Sequence, residues 1–206
     1  TFNNRDSVIK DYCHGVAKEY GCNPYKRANR ASGCETFAYT TGKKNMKNRL
    51  LDSLREVGVL NNKHIPNVYI KNSRAVRLQL LAGLIDTDGY LHNGCYEITT
   101  KYPLLKEGLV NLCGTLGFVT RCKDKYVNGK RYDRIVIIGN SLNEIPCKVE
   151  RKKCGPRKHY QNANHTGIVV EKDTVDEYYG FTIDGNHLFC LEDYTVTHNT
   201  FLGCLW

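Results

Sequence analysis

Among the ten cysteines of this 206-residue chain no two stand as Cys-x-x-Cys, so the usual spacing of a zinc ligand set is missing. Cys147, Cys154, His159 and His165 can be assembled into such a site only on paper. Cys95, Cys113 and Cys190 have apolar neighbours, where a free thiol behaves as a small hydrophobe. Reduced cysteines in an intracellular protein, cytoplasmic or nuclear, are the simpler reading. No apolar run approaches the ~20 residues of a membrane helix, and no secretory h-region opens the chain, so no membrane partner is expected. Methionine is nearly absent. Met46 is the only one and the first residue is Thr1, so the sequence reads as cut from something longer.

Positive charge is plentiful. Thirty Lys and Arg against 21 Asp and Glu give a net charge of +9, spread along the chain rather than gathered in a tail. That balance suits a nucleic-acid partner, as it would also suit a merely basic soluble domain. Length alone favours one or two domains with a sizeable core.

Residues 81–89 read Leu-Ala-Gly-Leu-Ile-Asp-Thr-Asp-Gly. Leu78 to Ile85 is an apolar helical stretch, and Ala82 and Gly83 are small enough for a second helix to lie backbone-close. Gly89 stands where a helix would end in a left-handed turn. Asp86 and Asp88 then fall in the last turn, where a carboxylate is disfavoured by about 0.3–1 kcal/mol unless a cation offsets it.

A longer pattern repeats. Residues 6–21 predict a helix with Asp6 as N-cap and Gly21 as its stop, followed by strands at 24–30 and 34–41 and a helix at 45–58 with Leu50, Leu51, Leu54 and Val57 inward. Residues 103–116 predict another helix ending at Gly117, then strands at 118–126 and 131–138, with Asn128-Gly129 as a tight hairpin turn. The two units are offset by 96 residues. That offset places the first-unit counterpart of Gly89 before Thr1.

The nonapeptide resembles the LAGLIDADG signature of homing endonucleases in eight of nine positions, departing only at Thr87. The resemblance implies an α/β fold of LAGLIDADG repeats (αββαββα), with two signature helices side by side and one carboxylate from each. It makes Asp88 the metal-binding carboxylate, with Mg2+ the expected divalent metal, and leaves Asp86 a structural part. Cutting a DNA phosphodiester needs an activated water, charge relief on the phosphate and a stabilised leaving oxygen, which shared divalent metals supply. Lys63, in Asn62-Lys63-His64-Ile65-Pro66, resembles the Lys-x-Ile-Pro block that precedes the second signature in intein-encoded endonucleases, most closely the vacuolar-ATPase intein type. It stands 25 residues before Asp88. Lys153, beside its competitor Lys152, matches the corresponding lysine of the second repeat. Each can polarise water or neutralise a phosphate oxygen.

Arg121, Lys123 and Lys125 alternate along one strand, with Arg131 and Arg134 across the hairpin, and Lys26, Arg27 and Arg30 fall at the equivalent place in the first unit. A basic two-stranded ribbon fits the major groove of double-stranded DNA.

After about Thr166 the texture turns β-rich and closes on Val196-Thr197-His198-Asn199-Thr200. With Tyr178-Tyr179-Gly180-x-Thr182 and His187 upstream, this run resembles the C-terminal splicing blocks of inteins. Asn199 can cyclise onto its own carbonyl, His198 can polarise that carbonyl or protonate the leaving amine, His187 is placed to assist, and Thr200 offers the acyl-accepting hydroxyl. Neither a Cys or Ser splice start nor a Thr-x-x-His block occurs upstream.

The expected organisation is an incomplete first repeat at 1–60, a second repeat at 61–165, a small all-β (Hint-type) splicing segment at 166–199, and host-protein (extein) residues at 200–206. The partners implied are duplex DNA, the missing N-terminal intein portion and the host exteins, and by itself such a chain is expected to be inactive. Two alternatives stand beside it: a DNA-binding relic that no longer cuts, and an RNA maturase, which has no use for protein-splicing residues.

Overall fold

The computed structural model describes residues 2–27, 35–43, 46–156, 169, 171–172, 174–177, 180–192 and 194–198. The chain divides into two compact units, Thr1–Ala163 and Asn164–Trp206. In the first, the order is β1 (Phe2–Asn4), α1 (Ser7–Glu19), β2 (Asn23–Arg27), β3 (Glu35–Thr40), α2 (Arg49–Glu56), α3 (Asn67–Ile70), α4 (Arg74–Asp88), β4 (Gly89–His92), β5 (Cys95–Thr100), α5 (Pro103–Thr115), β6 (Val119–Val127) and β7 (Lys130–Ile138). It is a mixed α/β unit with two antiparallel sheets, ordered β1-β3-β2 and β4-β5-β7-β6.

The 96-residue offset has a physical counterpart. Helix α1 ends in a glycine turn at Gly21 (φ +70) whose N–H donates to Lys18 O, while Cys22 N donates to Ala17 O. Helix α5 ends at Gly117 (φ +81), whose N–H donates to Gly114 O, while Phe118 N donates to Cys113 O. Both turns use the left-handed glycine conformation that frees the next residue to start a strand. In each case the helix runs into an antiparallel hairpin whose second strand pairs with the strand before the helix: β1-β3-β2 beside β5-β7-β6.

The core of this unit lies between the larger sheet and helices α4 and α5. Tyr96 and Ile98 of β5, Ile135 and Ile137 of β7, Leu81 and Ile85 of α4, and Leu109 and Leu112 of α5 are buried together. Alternation along β5 and β7 puts every second side chain into that core, as a sheet with one covered face requires. Arginines of α4 cap the other helix: Arg77 donates to Thr115 O at 2.7 Å and Arg74 to Leu116 O at 3.1 Å, meeting the orphan carbonyls and negative dipole end of α5.

Several sequence expectations change. Gly89 is extended (φ −86, ψ 161), not left-handed. Glycine is required there by space, since an added Cβ would lie 2.6 Å from Ile85 Cα. Asp6 is the N-cap of α1 by position, yet its carboxylate takes no cap bond and instead accepts from Arg151 at 2.8 Å and 3.1 Å. Helix α2 is shorter than expected, starts at a true cap (Asn48 accepts from Leu51 N at 3.0 Å), and buries none of its residues; Leu54 is exposed. An apolar stripe marks a face but not what covers it. Strand β2 stops at Arg27, and Arg30 lies outside the described residues. Cys113 is buried as expected, Cys95 is half-buried and Cys190 is exposed.

The second unit has a described hairpin, β8 (Leu188–Cys190) paired antiparallel with β9 (Val196–His198). No helix among the described residues is long and apolar enough to cross a membrane.

Candidate functional site

Helix α4 delivers two carboxylates to different places. Asp86 faces inward and is buried, where it accepts the backbone N–H of Lys148 at 2.7 Å and of Val149 at 3.1 Å. Asp88, half a turn on, is exposed and lines a cleft of about 390 Å³. Lys63, Lys101, Tyr102 and Tyr132 line the same cleft. So the two residues that stand 25 apart in the chain, Lys63 and Asp88, meet in one cleft. Lys101 and Tyr102 were not foreseen, because a lysine before Tyr-Pro carries no pattern of its own.

The C-terminus of α4 has a cation on it. Lys152 is only 4% exposed, and its Nζ donates to Ile85 O and Asp86 O at 2.8 Å each. This ammonium occupies the negative end of the dipole and the free carbonyls there. Burial pushes its pKa down, with Arg151 adding to the shift, while Asp6, Asp86 and Asp88 oppose it. Its neighbour Lys153 is exposed and paired with Glu150 at 2.6 Å, which raises its pKa. Lys152 closes a 3-10 turn at Glu150–Lys152 and points inward, while Lys153 follows it and goes to solvent. Tyr96 holds this segment from below, donating to Lys152 O at 2.8 Å and accepting from Cys154 N at 3.0 Å. Residues 148–152 and the end of α4 therefore brace one another, Asp86 accepting from the segment and Lys152 donating to the helix.

Register fixes the basic ribbon. Lys123 pairs with Arg134, and Arg121 and Lys125 flank it on the same face, away from the core. Glu97 of β5 answers part of that charge, 3.4 Å from Lys125 and 3.8 Å from Arg134. Arg131 falls on the opposite face, because residues three apart in a strand point to opposite sides. There it bonds Asp124 at 2.9 Å and Asp133 at 3.3 Å, so the two arginines across the hairpin lie on opposite faces of the sheet. In the smaller sheet, Lys26 and Lys10 both pair with Glu35, at 2.5 Å and 2.7 Å, and Arg27 is exposed.

Residues 64–145 match the family model described as homing endonuclease. The matching segment begins one residue after Lys63 and holds Asp88, the cleft-lining Lys101 and Tyr102, and the whole β6–β7 ribbon. A protein of Mycobacterium intracellulare named replicative DNA helicase DnaB is 38% identical over 78 residues, which is 37% of this chain. The chain spans 14% of that protein's length.

A hard divalent cation takes about six oxygen ligands, several of them carboxylate. Asp88 is the one carboxylate lining the described cleft, and no group of three acidic, His or Cys side chains able to hold a metal occurs among the described residues. These residues alone do not close a metal site.

Outside the matching segment, His187 and His198 come together. Leu188 pairs with His198 across the β8–β9 hairpin, and the two imidazole rings stand 5.5 Å apart, edge to face. His187 adopts a positive φ of 56° to do so. Asn199, Thr200, Tyr178, Tyr179, His159 and His165 lie outside the described residues.

Proposed function

We propose that this chain is the C-terminal part of an intein: a LAGLIDADG-type, site-specific DNA endonuclease followed by the strands that carry C-terminal splicing. The observation that carries the nuclease half is the meeting of Asp88 and Lys63 in one cleft at the end of the signature helix, Asp88 inside a segment matching homing endonucleases and Lys63 one residue before it. Gly83 is exposed on α4 and a Cβ there would meet nothing within 4 Å. That bare face is where a second signature helix would lie, bringing the partner carboxylate that Asp88 lacks. Mg2+ shared by the two carboxylates would supply charge relief on the scissile phosphate. Lys63 neutralises a phosphate oxygen or polarises water, Lys153 assists from the second repeat, and Arg121, Lys123, Lys125 and Arg134 hold the duplex, with Lys26, Arg27 and Arg30 on the other ribbon. The vacuolar-ATPase type remains the nearest intein pattern. A match confined to 14% of a protein named as a helicase is what an element inserted in a host protein would give.

For the splicing half, the support is the juxtaposed His187 and His198, with Asn199 next in sequence after His198. His198 acts on the Asn199 carbonyl as the side-chain amide cyclises, and Thr200 is the acceptor hydroxyl at the host junction. The lone carboxylate in the cleft favours a second reading, a DNA-binding relic.

A complementation experiment separates these. The chain is supplied with the proposed N-terminal intein portion as a second polypeptide, and duplex cleavage in Mg2+ is followed. Cleavage that disappears in Asp88→Asn, with DNA binding kept, supports the endonuclease. Binding without cleavage in the wild-type pair leaves the relic. In the same pair Asn199→Ala should abolish C-terminal cleavage, and normal ligated product from that variant would remove the splicing assignment.

A further inference from the structure

Two ammonium groups from separate segments converge on one ring in the cleft. Lys63 Nζ stands 5.3 Å and Lys101 Nζ 5.2 Å from the centroid of Tyr102. Both side chains are exposed, and neither forms an ion pair with a described carboxylate. Each arrives by a fixed route. Ile65, two residues after Lys63, is buried against α5 at Gly108, where an added Cβ would lie 3.0 Å from Ile65 Cβ. Tyr102 N–H donates to Thr100 Oγ1 at 3.1 Å, and Pro103 then opens α5 with its φ already helical. An aromatic face attracts a cation, but two cations at one ring oppose each other. A phosphodiester relieves that opposition, since its single negative charge is spread over two non-bridging oxygens, one for each ammonium. Asp88 lines the same cleft and would repel a phosphate from its own side, which leaves the lysine side as the place for one.

We propose that Lys63, Lys101 and the Tyr102 ring form a phosphodiester clamp beside Asp88, taking one backbone phosphate of a bound DNA strand. Lys101 is the new member, a binding residue that holds the strand in register with the carboxylate. The clamp rests on the DNA reading above, and the two are separable.

The test is equilibrium binding of the full chain to a random-sequence duplex across a range of salt. Each phosphate contact contributes about 0.9 to the slope of log K against log salt. Because the clamp takes one phosphate, the Lys63→Gln/Lys101→Gln pair is expected to lower that slope by about 0.9, and Lys101→Gln alone by part of that. Tyr102→Phe keeps the ring and should keep the slope, whereas Tyr102→Leu should lower it. An unchanged slope in Lys101→Gln, at an unchanged melting temperature, overturns the clamp. If the wild-type chain binds no duplex, the DNA reading fails, and the clamp is judged with inorganic phosphate and the Tyr102 ring resonances. A saturable shift that Lys101→Gln abolishes sustains the anion site, and no shift overturns it.

Discussion

Lys152 and Lys153 are adjacent, chemically identical, and do opposite things. Lys152 Nζ serves two carbonyls at the end of α4, and Lys153 Nζ serves a solvent-exposed Glu150. Hydrogen bonds from a charged donor are worth roughly 1.5–3 kcal/mol each, less the relief of no longer burying the charge. Lys152→Met should therefore cost about 2–3 kcal/mol in urea unfolding, while Lys153→Met stays within about 0.5 kcal/mol. Asp86→Asn leaves one of the two backbone N–H groups it accepts from facing an amide donor, for a loss of about 1–3 kcal/mol. The motif made Asp86, Asp88 and Lys63 legible in the sequence. Which lysine of the pair goes inward was not legible, because that depends on the phase of a three-residue 3-10 turn. Arg131 is the reverse case: strand alternation already separated it from Arg134, and the face it takes is the one its spacing dictates.

At the level of elements, the repeated helix-to-hairpin junction was readable because a glycine at Gly21 and at Gly117 is demanded by backbone conformation. Gly117→Ala should cost about 1 kcal/mol or more through its positive φ. Gly89→Ala should cost more, since its Cβ would meet the backbone of Ile85 at 2.6 Å, and differential scanning calorimetry on the pair ranks the two. The smaller sheet is laced to α1 by charge. Lys10 and Lys26 hold the Glu35 carboxyl at about 2, far below its ordinary range. A folded value below the unfolded one, about 4.3, means the contribution is present above that unfolded value and is lost as pH falls toward about 2. The gap in thermal midpoint between wild type and Glu35→Gln should thus be full near pH 6 and close between about pH 4 and about pH 2. Helix α2 shows what periodicity cannot tell: its stripe is visible in the sequence, but none of its residues is buried.

At the scale of the molecule, the positive charge of the larger sheet is one-sided. The face of the larger sheet turned from its core carries Arg121, Lys123, Lys125 and Arg134, and one acidic neighbour, Glu97, partly answers them. Replacing Arg121, Lys123 and Lys125 by Gln together should weaken duplex binding and flatten its salt slope by about 2–3. Fluorescence anisotropy at several salt concentrations reads both, and an unaltered slope would remove this face from the DNA interface. The sequence changes texture after about Thr166, and the two compact units are Thr1–Ala163 and Asn164–Trp206. Among the described residues, Asp88 is the one carboxylate that lines the cleft.

Gly108 holds a last consequence. It lies on α5 under Ile65, outside the ring of polar groups that would meet a phosphate, and its missing methyl is what lets the segment bearing Lys63 settle. A few tenths of an ångström of swelling there would be passed along a rigid two-residue arm to the ammonium in the cleft. Gly108→Ala then behaves as a tuning screw. It would alter how the cleft grips its strand without touching the strand, and selection or engineering could adjust affinity from a position that no contact map of the complex would single out.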